Sequence, residues 1–576
     1  MSTAHIAIVG SISALAHETA EALRRRGQVV SLLESSQNLE SLANEHPVRL
    51  LCMPFAPSME KRVLARKESG LSYLRSVLDW ARDAGVTRVV LRSHAVAYGI
   101  SMKNPGLLEE GRITLLPKTS PDRRWLEAED VLFNHSGAKT PMKNGFSPAA
   151  VRLTSVLAPK EGDPITRMIM GRVAVPMAGY DPELQFLSLS DAAEALACAV
   201  LSDSPGVFNA SPLGTVPVRA ALKASVSLRL PVNGVLQKPV RSLLWKVGLT
   251  DIPGEAMDRI KYNWTVSNER AKRELGFAPK QTSSQALKDF MKQTGCGRPD
   301  KIKDEYDEFG LDPEYLEKMS WWFYFLTRIY WRAEVEGMEN IPSVEPALLV
   351  ANHRGFMPFD GVVHRSLILA AKKRHIRILV IPSLFKFPFL SDFLIKQGGV
   401  VASQANTRKL FERKELVGIF PEGINGAFRM YKGAYQLGEM SRNAFAKMAI
   451  ENRVPIIPCA TIGHVEIFPI LAKVRSSFIV RVVGWPFLPI TPTFPLLPIP
   501  LPTKWHIRYL EPIPVDGYSP SDAQNPKAVN ELARVTCEVM QRNIDEMLLR
   551  RKHIFFGDIF GGGKSARRLK SLDAAG

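Results

Sequence analysis

Cysteine is scarce in this chain of 576 residues: there are five, at Cys52, Cys198, Cys296, Cys459 and Cys537. An odd, scattered set without metal-ligand spacing gives no disulfide framework and no zinc site, so no metal is expected and a reducing compartment fits. The sequence also lacks any run of ~18–20 uninterrupted apolar residues, so no conventional spanning helix is expected. Residues 1–5 carry no basic region ahead of an apolar segment, and no secretory signal is expected. Internal repeats and extended low-complexity stretches are absent. Acidic residues are in deficit, 57 against 75 Lys and Arg, for a formal charge of +18. That excess suits an anionic partner; no nucleic-acid module accompanies it, so nucleic acid is not expected and an anionic lipid surface is the better match.

Length and a hydrophobic content of 45% fit several domains with real cores. The stretch 294–310 is polar and rich in breakers, with the charge run Asp300-Lys301-Ile302-Lys303-Asp304-Glu305. It reads as part of a linker, 294–318, between one domain at 1–293 and another at 319–550, with a basic flexible tail at 551–576. Gly561-Gly562-Gly563-Lys564 belongs to that tail, because no strand precedes it and no helix follows, as a phosphate loop requires.

The chemistry-bearing residues cluster in the second domain. The apolar run Ala347-Leu348-Leu349-Val350-Ala351 predicts a buried strand, and Asn352-His353-Arg354-Gly355-Phe356-Met357-Pro358-Phe359-Asp360 follows it. A histidine and a carboxylate therefore lie on the loop leaving that strand. Gly418-Ile419-Phe420-Pro421-Glu422-Gly423 repeats the design, and Val454-Pro455-Ile456-Ile457-Pro458-Cys459-Ala460 leads into Thr461-Ile462-Gly463. Sites on open α/β sheets collect where strands end, so these ends form the candidate site.

In order and approximate spacing these segments resemble the phospholipid and glycerol acyltransferase family, over roughly residues 320–550. The resemblance implies transfer of a fatty acyl group from acyl-CoA or acyl carrier protein to a lipid hydroxyl such as a lysophospholipid or acylglycerol. No further cofactor is required. Histidine, with an ordinary pKa of about 6.5, suits removal of the hydroxyl proton, so His353 is the expected general base and Asp360 the carboxylate fixing its tautomer. Asn352, Arg354, Glu422 and Gly423 are expected to contact substrate; Arg429 is read either as a phosphate ligand or as a solvated side chain. Six residues separate His353 from Asp360 where the commonest family form has four, and Pro358-Phe359-Asp360-Gly361 looks like the branch with mono- and diacylglycerol acyltransferase-like proteins.

Two segments look made for a bilayer surface: Trp321-Trp322-Phe323-Tyr324-Phe325-Leu326 with Arg328, Tyr330, Trp331 and Arg332, and the proline-rich apolar stretch 485–502. Arg550, Arg551, Lys552, Phe555 and Phe556 add to them, and the expected place is the cytoplasmic face of a membrane, held peripherally.

The first domain opens as βαβ. His5-Ile6-Ala7-Ile8-Val9 predicts a strand, the turn at Gly10 and Ser13 leads into a helix, and the next strand ends at Glu34, where a ribose-binding acid would sit. With Val86 to Gly99, Ala149 to Thr154 and Ala271 to Phe277, the half resembles the extended short-chain dehydrogenase/reductase and nucleotide-sugar epimerase family. The resemblance implies a doubly wound Rossmann-type sheet, NAD(P) at Gly10, Ser13 and Glu34, and a tyrosine and lysine as proton donor and activator. Pro121 and Trp125 stand at those last two positions and Ser93 alone remains, so this half is expected to be silent as an oxidoreductase. The whole is read as a two-domain α/β protein. A working NAD(P)-dependent first half, or a non-enzymatic lipid-binding scaffold, are the alternatives.

Overall fold

In the computed structural model the described residues are 4–34, 39, 46–55, 67–111, 117, 120–136, 145–159, 163–171, 173–225, 228–229, 239, 258–354, 357–438, 443–475, 487–492 and 499–560. The chain forms two compact units, Met1–Gly310 with Phe385–Phe393, and Leu311–Leu384 with Leu394–Gly576.

In the first unit the predicted strand at residue 5 is β1 (His5–Gly10), followed by β2 (Val29–Glu34), β3 (Arg49–Met53), β4 (Arg88–His94), β5 (Ser147–Leu153) and β6 (Gly206–Ala210). They pair in the order β6-β5-β4-β3-β1-β2, all parallel. Parallel strands need crossovers, and the crossover helices cover both faces. Helices α2 (Lys67–Asp83) and α3 (Ser120–His135) bury Leu74, Leu78, Trp125 and Leu132 with Leu50, Cys52, Val89 and Leu91. On the other face α1 (Ala14–Arg24) and α4 (Leu189–Leu201) bury Ala16, Leu23, Leu196 and Val200 with Leu51, Val90 and Val151. Alternate strand residues thus feed two cores, the signature of a doubly wound sheet. The strand order reverses between β1 and β3. There Gly10 adopts φ +118, and a Cβ would lie 2.3 Å from the Met53 carbonyl oxygen, so only glycine closes the turn.

The second unit holds a mixed sheet of seven strands: β7 (Glu334–Glu336), β8 (Ala347–Ala351), β9 (Ile376–Val380), β10 (Gly399–Val401), β11 (Leu416–Ile419), β12 (Ile456–Ile462) and β13 (His506–Tyr509). Its order is β7-β13-β12-β8-β11-β9-β10, with β12 and β13 antiparallel and the other pairs parallel. The continuous apolar run of β8 is explained by its central place: every residue is buried. Because β8 runs parallel to both β11 and β12, the three strand ends singled out by sequence open side by side. Helix α5 (Phe359–Lys372) packs Val363, Leu367 and Ile368 against Leu349, Ala351 and Cys459. The last helix, α7 (Pro526–Arg550), is capped by Asn525, carries proline in its first turn, and lays Ile544 and Met547 on Ala460 and Ile462 of β12; α6 (Ala444–Asn452) precedes β12.

The stretch read as a linker carries structure. Pro299–Lys301 is a 3-10 turn, Ile302 is buried in the first unit, and Pro313–Lys318 is helical in the second. The stretch read as a flexible tail is tied down at points up to residue 560, though most of its described residues are exposed: the Ile559 and Phe560 backbone N–H groups donate to Glu334, and Arg551 donates to Glu466 at 2.8 Å. Arg551 is therefore an internal tether, a correction to its reading as a lipid-facing cation. Gly561 to Lys564 and Trp485 lie outside the described residues. Among the described residues, no helix is long and apolar enough to cross a membrane.

Candidate active site

His353 stands two residues past the end of β8, and Asp360 is the second residue of α5. The helix folds the chain back so that His353 Nδ1 and Asp360 Oδ2 meet at 2.7 Å. A carboxylate oxygen can only accept from the ring, which places the proton on Nδ1 and a lone pair on Nε2. The helix N-terminus favours the aspartate anion, and the Arg354 backbone N–H donates to the same oxygen at 3.2 Å. Burial pushes the Asp360 carboxyl above its ordinary range, with the hydrogen bond and charge of His353 pulling the other way. The His353 side chain keeps 17% of its surface exposed while Asp360 keeps 2%. A carboxylate-held imidazole open on one side is an arrangement that can take a proton from an incoming hydroxyl.

Arg354 and Glu422 were expected to face substrate; the structure buries both in an ion pair of 2.7 Å, with side-chain exposures of 3% and 1%. Glu422 Oε2 accepts the His353 backbone N–H at 3.1 Å, and Oε1 accepts Gly438 N–H at 2.8 Å. The Arg354 guanidinium donates to the carbonyl oxygens of His353 (2.6 Å), Ala434 (2.5 Å) and Gln436 (2.9 Å). The pair thus grips the His353 backbone from both sides. Gly423 adopts φ +53 at the turn where the Glu422 loop enters a short helix, Gly423–Ala427. Arg429 is exposed and donates to the Gln436 carbonyl. Asn352 is buried and pairs with the Thr461 backbone, accepting its N–H and donating to its carbonyl, both at 2.9 Å, which ties the end of β8 to β12.

Sequence reasoning passed over two histidines behind this site. His364 bonds the Tyr509 hydroxyl at 3.0 Å and His464 lies 3.3 Å from Asn352 Nδ2; both rings are fully buried. The only prior signal was histidine within apolar helix and strand-end patterns. Burial lowers His364 to about 4 and His464 well below its ordinary value, so both are neutral in the fold. Between pH ~6.5 and about 4 the unfolded chain therefore binds protons that the native chain refuses, and stability falls as pH falls through that window. Urea unfolding of the full chain is expected to show it, with His364 alone contributing roughly 3 kcal/mol near pH 4. His364→Gln should flatten the slope; identical slopes for parent and variant refute the assignment.

In the first unit one of the residues meant for a dinucleotide, Ser13, serves as a helix cap. Ser13 Oγ caps α1 by accepting Ala16 N–H at 3.4 Å, and Glu34 is an exposed residue at the end of β2. Ser93 donates to Glu129 at 2.5 Å, and Glu129 also takes two bonds from Arg152, at 2.9 and 2.6 Å. Trp125 packs edge-on to Phe55 at 5.1 Å, with Arg92 4.4 Å from its ring centre. At the ends of β4 and β5 a recess of about 20 Å³ is lined by Leu15, Arg92, His94, Thr154 and Asp163. That space suits water and is too small for a pyridine ring. With a cationic guanidinium on its wall, no tyrosine at residue 121 and no lysine at residue 125, this region does not fit a working nicotinamide centre.

The acyltransferase family model matches residues 332–462, which contain β7 to β12 with His353, Asp360 and Glu422. An uncharacterized protein of Mycobacterium leprae (strain TN) is 36% identical over 261 residues, covering 44% of this chain and 70% of that protein. The DGAT1/2-independent enzyme synthesizing storage lipids of Bos taurus is 31% identical over 215 residues, covering 37% of this chain and 59% of that enzyme. Among solved structures, the UDP-N-acetylglucosamine 4-epimerase from Bacillus cereus is 15% identical at a TM-score of 0.39, covering 51% of this chain and 97% of that one. From the match over β7 to β12 and the extent of the mycobacterial likeness, the chain belongs to the acyltransferase family and is an acyltransferase.

Proposed function

We propose that the protein is a membrane-associated lipid acyltransferase with His353 as general base. The observation that carries this reading is the 2.7 Å hydrogen bond from His353 Nδ1 to Asp360 at the end of β8. Nε2 removes the acceptor hydroxyl proton as the oxygen attacks an acyl thioester carbonyl. The C–O bond forms, the C–S bond breaks, and the imidazolium returns the proton to the leaving thiolate. Asp360 holds the tautomer and offsets the charge that develops on the ring. The donor is acyl-CoA or acyl carrier protein; the +18 surplus suits either.

An uncharged acceptor, an acylglycerol or alcohol, suits this site better than a phosphate-bearing one. Arg354 has turned its guanidinium into the protein, and Arg429 is bonded to Gln436. The cattle relative's name points the same way. Contact with a membrane is supported by apolar side chains left in water: Trp321 is 67% exposed and Phe556 70%, with Tyr324 and Ile499 also exposed. Peripheral attachment at the cytoplasmic face is the corresponding location. Purified full-length protein is to be incubated with labelled acyl-CoA and vesicles carrying lysophospholipids, mono- and diacylglycerols or long-chain alcohols. Mass analysis should find acylated acylglycerol or alcohol; exclusive acylation of lysophospholipid sinks the acceptor choice, and no ester with any acceptor sinks the function.

A further inference from the structure

The grip on His353 does not end at Arg354 and Glu422. Their outer partners all lie in one short segment, 434–438: the carbonyls of Ala434 and Gln436 for the arginine, and the Gly438 N–H for the glutamate. That segment is not part of a strand or helix, so its own backbone polar groups need partners elsewhere. The local turn satisfies the N–H groups of Ala434 and Gln436, and the last helix supplies partners for two more groups. Gln541 on α7 accepts the Leu437 N–H at 2.8 Å and donates to the Tyr435 carbonyl at 3.2 Å, a two-point match between a side-chain amide and a peptide backbone. Just past α7, Arg551 donates to the Tyr435 hydroxyl at 3.2 Å and to Glu466 Oε1 at 2.8 Å. Tyr435 closes the set, donating to Glu466 Oε2 at 2.5 Å while accepting Gly463 N–H at 2.8 Å.

We infer that 434–438 is a strap which α7 holds behind the catalytic loop, and that Gln541 and Arg551 are positioning residues for acyl transfer although neither bonds His353. The inference rests on the reading of His353 as base. Its physical content is a relay of saturated hydrogen bonds. Release of the strap frees the outer donors and acceptors of the Arg354–Glu422 pair, and the loop then holds His353 less firmly against Asp360. Misplacement of about 1 Å by a remote change can lower a rate by about 100-fold. Substrate contacts are untouched, so the loss belongs in kcat and not in KM.

The experiment compares parent, Gln541→Ala, Arg551→Ala, Arg551→Lys, Tyr435→Phe and Glu538→Ala, all full-length, in the acyl-transfer assay with the best acceptor found. Glu538 lies on the exposed side of α7, paired with Arg534, and serves as the control. Gln541→Ala and Arg551→Ala should each lower kcat by about 10- to 100-fold with KM within about twofold. Arg551→Lys should recover part of the loss, and Glu538→Ala should leave the rate unchanged. Should Gln541→Ala fail to fold, Tyr435→Phe, which removes one hydroxyl and keeps the ring, takes its place with the same expectation. A folded Gln541→Ala or Tyr435→Phe with parental kcat overturns the strap, as does a loss confined to KM. His353→Ala in the same assay separates the two ideas: activity retained there refutes the base, whereas an inactive His353→Ala beside parental strap variants refutes the strap alone.

Discussion

Replacing His353 with alanine is expected to lower kcat/KM for acyl transfer by about 10³-fold, with circular dichroism and thermal midpoint close to the parent. General base catalysis contributes roughly 10²–10⁴-fold, and an alanine offers no group to accept the hydroxyl proton. The fold should survive because the ring is partly exposed and its hydrogen bond runs to the neighbouring Asp360 on the same loop and helix start. Asp360→Asn gives the companion result. The amide can offer Nδ2–H to the ring, favouring the tautomer with its proton on Nε2, and the rate should fall by an amount in the same range. Both variants are to be measured with a mass-resolved product assay at saturating donor. A His353→Ala enzyme within about tenfold of the parent would falsify the base assignment, since proton removal by that ring is then not needed.

Loss of the Arg354 guanidinium should cost stability as well as activity. Arg354→Ala takes the paired cation from Glu422 in a site only 1% exposed, strips the Ala434 carbonyl of its donor and leaves the Gln436 carbonyl with Arg429. Breaking a buried ion pair by removing one partner costs about 3–5 kcal/mol, because the remaining charge keeps its desolvation penalty and loses its compensation. Guanidinium unfolding monitored by tryptophan fluorescence should show that loss. The double variant Arg354→Met with Glu422→Leu removes both charges and should recover part of it, as apolar replacements of buried pairs often do. Catalysis should not recover, since the His353 backbone would still lack its clamp. A single variant less than about 1 kcal/mol below the parent would place the pair among weak surface bridges and contradict its burial.

Much of the architecture was legible in local patterns. The five apolar residues of β8 announce a strand buried on both faces, and the short strand, turn and helix at residues 5–24 announce a crossover unit, down to the glycine that the β1–β3 approach requires. The closeness of His353 to Asp360 is similarly local, because a loop followed at once by a helix start brings residues seven apart together. Partnerships across the sheet were not legible. Arg354 and Glu422 looked like substrate ligands, Glu422 because the family resemblance implied it, and only the pairing of β8 with β11 turns them toward each other. Trp321 and Trp331 belong to one aromatic run, yet the first is exposed and the second fully buried against Trp505 and Phe359. Arg551 and Gln541 gave no sign of a link to a loop about a hundred residues earlier. By itself, then, the sequence determined the strands, turns and chemical types at their ends, since backbone sterics and hydrophobic period act over a few residues. Which polar groups meet substrate and which hold one another was decided by tertiary structure, because a buried donor or acceptor must find its partner wherever the packed chain happens to bring one.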